Sequence, residues 1–214
     1  MLGVYDGCGG RSGGGIASEM AARAIREELS LGAPCRSDIA ARLALAVENA
    51  GHRVFAAATA DTLLCGMGTA ATLASIVGFR LDVAQVGDTR AYLLRGGALR
   101  PLTRDHSLFN DLLDAGEVRP EDEATFVHRG VITKALGTTE RTSPTMTTLD
   151  LELGDRLLLC SDGVTVHLDD VALGGILRGA VAPDRCCRDL VAETYRRGAS
   201  DNLTVVIADV RSES

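Results

Sequence analysis

The stretch FRLDVAQVGDTRAYLLRGGALRPL, residues 79–102, carries the clearest strand signals of this 214-residue chain. Apolar and charged residues alternate from Phe79 to Val83, which is the two-residue period of a half-buried strand. Two apolar runs then flank the dipeptide Gly96-Gly97, which is typical of a hairpin turn. The stretch therefore predicts antiparallel strands joined by tight turns.

Helical periodicity surrounds this stretch on both sides. Upstream, one helix is predicted around Ile16–Leu29. A longer helix follows Ser37, a suitable N-cap, and turns an apolar stripe from Ile39 to Val54 towards the core. Downstream, a third helix is predicted to begin near Pro183, because proline is tolerated in a first turn.

Two further apolar runs, Leu157–Cys160 and Leu203–Ala208, are bounded by turn residues and predict buried strands. From about Asp105 to Gly130 the apolar periodicity fades, so a long loop is predicted there. Strands follow one another in hairpin order, with helices grouped between them. This order favours a single α+β domain over residues 1–214, built as a mostly antiparallel sandwich, over a doubly wound sheet.

Composition excludes several classes of function. The net charge of −7 leaves no basic footprint for nucleic acid. The longest nearly apolar stretch, Ala70–Phe79, is about half of a membrane span, and the opening MLGVYDG lacks the pattern of a signal peptide. The six cysteines show neither a CxxC pair nor zinc spacing. A cytoplasmic protein with reduced thiols and no membrane partner is predicted.

Aspartates fall where predicted strands begin or end, each beside glycine, asparagine or a tight turn: Asp6, Asp88, Asp162 and Asp201. A carboxylate at the end of a buried strand costs desolvation energy unless positive charge compensates it. Mg²⁺ and Mn²⁺ prefer carboxylate, carbonyl and water oxygens. One Asp-Gly pair is usually only a turn, but the four together favour a divalent-metal site.

Six motifs cover nearly the whole chain in a fixed order: VYDGCGG (4–10), GMGTAAT (66–72), VAQVGDTRAYLLRGGALRPLTRDHSL (83–108), ITKALG (132–137), LLLCSDGV (157–164) and SDNLTVVI (200–207). Together they resemble the successive motifs of the type 2C metal-dependent serine/threonine protein phosphatases, in the form found in bacteria. The resemblance implies a four-layer αββα sandwich, with two mostly antiparallel sheets flanked by helices and a two-metal site in a cleft at one end.

The resemblance also implies a role for each aspartate. Asp6 matches the residue that bridges two Mn²⁺ or Mg²⁺ ions, and the Gly7 carbonyl matches a ligand of the second ion. Asp162 and Asp201 match the residues that complete the shell of the first ion. Asp88, together with Asp162, matches the ligands of a weaker third ion.

The implied chemistry is hydrolysis of phosphoserine and phosphothreonine in proteins. Two ions about 3.5–4 Å apart acidify a water and neutralise the phosphoryl charge. That water attacks phosphorus in line, so no protein nucleophile is required. The implied partners are phosphoproteins made by a serine/threonine kinase, and the chain is expected to act as a monomer.

Two departures from the family pattern leave alternatives open. Cys8 stands where relatives carry His or Met, either as a small filler beside the site or as a redox-sensitive thiolate. The family's first segment, with an Arg that grips phosphate and an acidic metal ligand, is expected to be missing. A catalytically weak regulatory or binding module is therefore the alternative to an active phosphatase. His106, in the RDHSL motif, is interpreted as a structural, hydrogen-bonded histidine.

Overall fold

The structure, a computed structural model, describes residues 1–30, 39–179, 182–199 and 201–212. The strands are β1 Leu2–Cys8, β2 Gly68–Val77, β3 Arg80–Val86, β4 Arg90–Arg95, β5 Ala98–Pro101, β6 Thr145–Asp150, β7 Arg156–Cys160 and β8 Val205–Asp209. The α-helices are α1 Gly10–Ser30, α2 Ile39–Ala60, α3 Leu108–Asp114, α4 Asp162–Thr165, α5 Asp170–Gly179 and α6 Pro183–Arg196.

Two four-stranded sheets pack face to face in the order β1-β2-β3-β6 and β5-β4-β7-β8. Every strand pair in both sheets is antiparallel. Helices α1 and α2 cover the outer face of the first sheet, and α5 and α6 cover the outer face of the second. The predicted α+β sandwich, with its αββα layers, is confirmed.

Alternate residues of β7 show how the layers are filled. Leu157 and Leu159 point between the two sheets, while Leu158 and Cys160 point towards α5 and α6. A strand covered on both faces must be apolar throughout, which is why the run carries no polar alternation.

Several local predictions are confirmed. The first two predicted helices correspond to α1 and α2, and the buried side of α2 includes Leu43, Val47 and Val54. Ser37, the predicted N-cap, lies outside the described residues. Helix α6 begins at Pro183, and β4 and β5 form a hairpin around Gly96 and Gly97.

None of the described helices is long and apolar enough to cross a membrane.

Two local predictions are wrong. Phe79 lies in the turn before β3 and is 49% exposed, and from Leu81 onwards β3 is buried on both faces. Asp82, the charged residue of the alternating pattern, is buried too. Its charge is compensated by an ion pair with Arg80 at 3.0 Å. The predicted loop from about Asp105 to Gly130 contains α3 and a 3₁₀ turn at Pro120–Thr125.

A buried carboxylate fastens β4 to the turn before β7. Arg95 donates from Nε to Asp155 Oδ1 at 2.9 Å and from Nη2 to Oδ2 at 2.7 Å, and the Glu152 amide donates to Oδ2 at 2.8 Å. Burial by itself raises the pKa of the Asp155 carboxyl. The hydrogen bonds from Arg95 and from the Glu152 amide outweigh burial and hold that pKa below its usual value.

Asp155→Asn is expected to lower the free energy of unfolding at neutral pH by about 1–2 kcal/mol. The effect is no larger because the Arg95 side chain is one-third exposed, so solvent screens its charge. The folded-state pKa lies below the unfolded one. The stabilisation is therefore complete above about pH 4 and is lost as pH falls through the folded pKa. Urea unfolding at neutral pH and at about pH 3 tests this.

Glu152→Gln is the matched control for Asp155→Asn. The Glu152 side chain also contacts Arg95 but is 67% exposed, so its loss should change stability by less than about 0.5 kcal/mol. A destabilisation by Asp155→Asn that is as large in acid as at neutral pH would contradict the linkage.

Candidate metal centre

The four aspartates lie where the two sheets meet at one end of the sandwich. Asp6 is inside β1, opposite Ala70 of β2, rather than after the strand as predicted. Asp88 lies in the turn between β3 and β4, and Asp162 opens α4 directly after β7. Asp201 lies in the segment before β8, which begins at Val205 and not at the predicted Leu203.

The carboxylates of these aspartates act on one another. Among its neighbours, the Asp6 carboxyl is influenced most strongly by Asp162, and the charges of Asp88 and Asp201 also reach Asp6. The pKa of Asp6 is raised to about 7, first by burial, then by Asp162 and then by the charges of the other two aspartates. Burial, followed by the charges of Asp162 and Asp105, raises the pKa of Asp88 to about 6. The structure therefore brings all four predicted side chains into one electrostatic cluster.

Two glycines set the spacing of the segments that carry the cluster. A Cβ on Gly7 would overlap the carbonyl of Gly14 in α1, so β1 and α1 approach backbone to backbone. A Cβ on Gly163 would overlap the carbonyl of Asn202, next to Asp201. Glycine at both positions permits the close approach.

The cluster suits a hard divalent cation. Its side-chain donors are all carboxylate oxygens, which are ligands that Mn²⁺ and Mg²⁺ prefer. A divalent charge would also cancel the repulsion that raises the pKa values of Asp6 and Asp88. Within the described part of the chain, no three acidic, thiol or imidazole side chains stand close enough to hold one ion in the present arrangement.

A cleft of about 660 Å³ opens outward from Asp88 and Asp162. One wall comes from the region of α3 and the 3₁₀ turn, and the other from α4. Its lining mixes aromatic, aliphatic and charged side chains, among them Arg90, Tyr92, Phe109, Glu123, Arg129 and Val166.

Cys8 lies at the end of β1, opposite Gly68. Its side chain is half-buried, and a Cβ added to Gly68 would lie 3.2 Å from the Cys8 sulfur. Burial first, and then the Asp88 charge, raises the pKa of the Cys8 thiol. Without a bound cation these groups favour the neutral thiol, and the choice between a small filler and a redox-sensitive thiolate stays a prediction.

The sequence model of a known family, described as protein phosphatase 2C, matches residues 1–208. The chain belongs to the protein phosphatase 2C family. Among curated members of the protein phosphatase 2C family, the serine/threonine protein phosphatase PstP of Mycobacterium tuberculosis is 35% identical over 212 residues. That match covers 98% of this chain but 40% of PstP, so the chain spans less than half the length of that relative. The serine/threonine phosphatase stp of Listeria monocytogenes is 30% identical, with 96% of this chain and 82% of the relative covered.

Solved protein phosphatase 2C structures agree with the fold. The crystal structure of the M. tuberculosis serine/threonine phosphatase PstP/Ppp aligns with a TM-score of 0.91 at 33% identity, covering 99% of this chain and 88% of that one. The catalytic domain of PstP in complex with two manganese ions aligns with a TM-score of 0.87 at 32% identity, covering 99% and 87% of the two chains.

Sequence reasoning missed the polar residues that surround the turn bearing Asp88. Gln85, Thr72 and Thr89 form a buried hydrogen-bonded group beneath the turn. One signal was present, since Gln85 interrupts the otherwise apolar run VAQV. A buried amide usually has hydrogen-bond partners, which here are those of Nε2.

Proposed function

We propose that this chain hydrolyses phosphoserine and phosphothreonine in proteins, using Mn²⁺ or Mg²⁺ held by Asp6, the Gly7 carbonyl, Asp162 and Asp201. A third ion would bind more weakly, through Asp88 and Asp162. The observation that carries the proposal is the convergence of the four carboxylates at one end of a protein phosphatase 2C sandwich. The names of the curated relatives and the two manganese ions in the PstP domain support the same assignment.

The chain's own residues divide the work. The bound cations supply the Lewis acidity that activates water and neutralises phosphoryl charge. Asp6 and Asp162 are the central acids, because each interacts with the other and with Asp88. Two buried cysteines are poor nucleophiles because their thiols stay protonated at neutral pH. Burial raises the pKa of Cys160 to about 12 and that of Cys186 to about 11.

We further propose that protein substrates enter through the cleft beside Asp88 and Asp162. Its exposed Val166, with 63% of its surface accessible, and the exposed Arg129 can contact residues that flank the phosphorylated one. Such substrates would be products of a serine/threonine kinase. Action as a cytoplasmic monomer also belongs to this proposal.

The alternative is a binding or regulatory module that takes up metal without turnover. The two functions differ in whether bound Mn²⁺ leads to phosphate release.

The test is phosphate release from one peptide sequence carrying phosphoserine, phosphothreonine or phosphotyrosine, with Mn²⁺ or with EDTA. We expect release from the first two only, and none in EDTA. Binding of Mn²⁺ by calorimetry without release from any peptide would establish the binding module instead. Release that persists in EDTA would exclude the metal-dependent reaction.

Cys8→Ala is expected to keep Mn²⁺-dependent hydrolysis of p-nitrophenyl phosphate within about threefold of the parent chain. The nucleophile is water, and p-nitrophenolate leaves without needing a proton from a general acid. Initial rates at saturating Mn²⁺ check this, with Cys65→Ala, an exposed free thiol, as the control. A large loss of turnover with Mn²⁺ binding intact would assign the Cys8 thiol a catalytic role.

A further inference from the structure

The turn Gly87–Thr89 joins β3 to β4 and carries Asp88; it is named the Asp88 turn here. Among the described residues, no side chain is hydrogen-bonded to the Asp88 carboxylate, so the backbone of the turn determines the point from which this side chain projects. Contacts that fix that backbone therefore fix where the carboxylate can reach.

His106 grips the residue before Asp88 at two points. The His106 amide donates to the Gly87 carbonyl at 2.9 Å, and the Gly87 amide donates to His106 Nδ1 at 3.0 Å. Because Nδ1 accepts, the proton of the neutral ring lies on Nε2, which then donates to Thr145 Oγ1 at 2.8 Å. Burial and the nearby charge of Lys134 lower the pKa of His106, which keeps the ring neutral.

Asp105 grips the other side of the turn. Arg90, two residues after Asp88, donates from Nε to Asp105 Oδ1 at 2.8 Å and from Nη2 to Oδ2 at 2.7 Å. Its remaining Nη1 donates to the Tyr92 hydroxyl at 3.2 Å. Such two-point pairing fixes direction as well as distance.

Buried polar groups close the turn from beneath. Gln85 Nε2 donates to the carbonyls of Gly87 at 3.3 Å and Thr89 at 3.2 Å. Thr72 Oγ1 donates to the Thr89 carbonyl at 2.7 Å. Gly87 has a φ of +94°, and a Cβ there would overlap Ala70. The turn thus has little freedom as long as its outer partners, Asp105 and His106, stay in place.

We infer that His106 is a positioning residue: together with Asp105 it clamps the Asp88 turn and so aims the Asp88 carboxylate at Asp162 for metal binding. The inference rests on the proposed function, since it takes Asp88 as a metal ligand. A purely structural His106 would affect stability and leave the metal dependence alone. The clamp instead predicts a change in Mn²⁺ affinity that passes through Asp88.

Two substitutions at His106 separate its two ring nitrogens. In His106→Asn the side-chain amide lies near the position of Nδ1 and can still accept from the Gly87 amide. In His106→Gln the amide lies near the position of Nε2, so the contact with Thr145 is kept and the grip on Gly87 is lost. We expect the Gln variant to weaken Mn²⁺ binding to the Asp88 site about tenfold and the Asn variant to remain within about threefold of the parent.

The measurement is calorimetric titration with Mn²⁺ alone, alongside the Mn²⁺ dependence of phosphopeptide hydrolysis and thermal unfolding of each variant. The Asp88→Asn variant shows how much Mn²⁺ affinity is lost when the Asp88 charge is removed. His106→Gln is then also measured in the Asp88→Asn background. Coupling requires the His106→Gln effect to disappear once Asp88 has lost its charge. Should His106→Gln fail to fold, Arg90→Lys, which keeps the charge but loses the two-point pairing with Asp105, must show the same loss and the same coupling.

Three results would overturn the clamp. One is unchanged Mn²⁺ binding in His106→Gln, and another is an equal effect with and without Asp88. The third is Asp88→Asn leaving Mn²⁺ binding intact, which removes Asp88 from the metal centre while the site on Asp6, Asp162 and Asp201 stands. Failure of the proposed function itself looks different, because the parent chain would then release no phosphate at any Mn²⁺ concentration.

Discussion

Asp162→Asn is expected to reduce Mn²⁺-dependent phosphopeptide hydrolysis by about 100-fold or more, equivalent to about 3 kcal/mol of lost transition-state stabilisation. Asp162 acts on two other members of the cluster: it raises the pKa of Asp6, and its charge also acts on Asp88. The amide keeps the shape of the side chain but removes the charge that a divalent ion needs. Its loss therefore weakens every ion position that the carboxylate shares.

Initial rates at saturating Mn²⁺, together with calorimetric Mn²⁺ titration, test Asp162→Asn. The control is Asp184→Asn, which makes the same chemical change at an exposed ion pair with Arg188 on α6 and should leave both measurements unchanged. If the Asp162 variant bound Mn²⁺ as the parent does, the assignment of this carboxylate as a ligand would be wrong.

Gly163→Ala is expected to lower Mn²⁺ affinity and turnover by about tenfold to 100-fold without unfolding the chain. An added Cβ would overlap the Asn202 carbonyl, so the segment bearing Asp201 must move away from α4. That segment is otherwise held by the Ser161 amide, which donates to the Thr204 carbonyl at 3.1 Å. The displacement separates Asp162 from Asp201 while leaving both charges in place.

Gly175→Ala in α5 is the control for Gly163→Ala, since an added Cβ there meets nothing within 4 Å. It should leave Mn²⁺ binding unchanged and raise stability by about 0.5–1 kcal/mol, as is usual for alanine in a helix interior. Unchanged Mn²⁺ binding and turnover in Gly163→Ala would show that the spacing of the two segments does not matter to the site.

Much of the secondary structure follows from short-range sequence patterns, namely apolar spacing and turn residues. Helices α1, α2 and α6 follow from apolar spacing, and α6 also from proline in its first turn. The hairpin of β4 and β5 follows from Gly96-Gly97, whose φ angles of 56° and 83° few other residues adopt. These features depend on residues within one or two turns of each other, so the sequence alone determines them.

The errors arose where long-range packing overrides local pattern. The alternation at the start of β3 predicted an exposed face, but the second sheet and α2 bury that strand on both sides, and Arg80 neutralises Asp82 there. The weak periodicity after Asp105 hid α3, a short helix capped by Ser107, whose side chain accepts from the Asn110 amide. A helix of this length gives too few repeats for a periodic signal.

The sequence by itself determined which residues could form the site, because Asp beside Gly or Asn at a strand end is visible in the chain. Only the tertiary structure decided that Asp6, Asp88, Asp162 and Asp201 share one end of the sandwich. It also decided that His106 and Asp105 hold the Asp88 turn. Burial and mutual repulsion raise the pKa of Asp6 to about 7. Both arise because carboxylates from distant segments of the chain are buried next to one another, which happens only once the two sheets have packed.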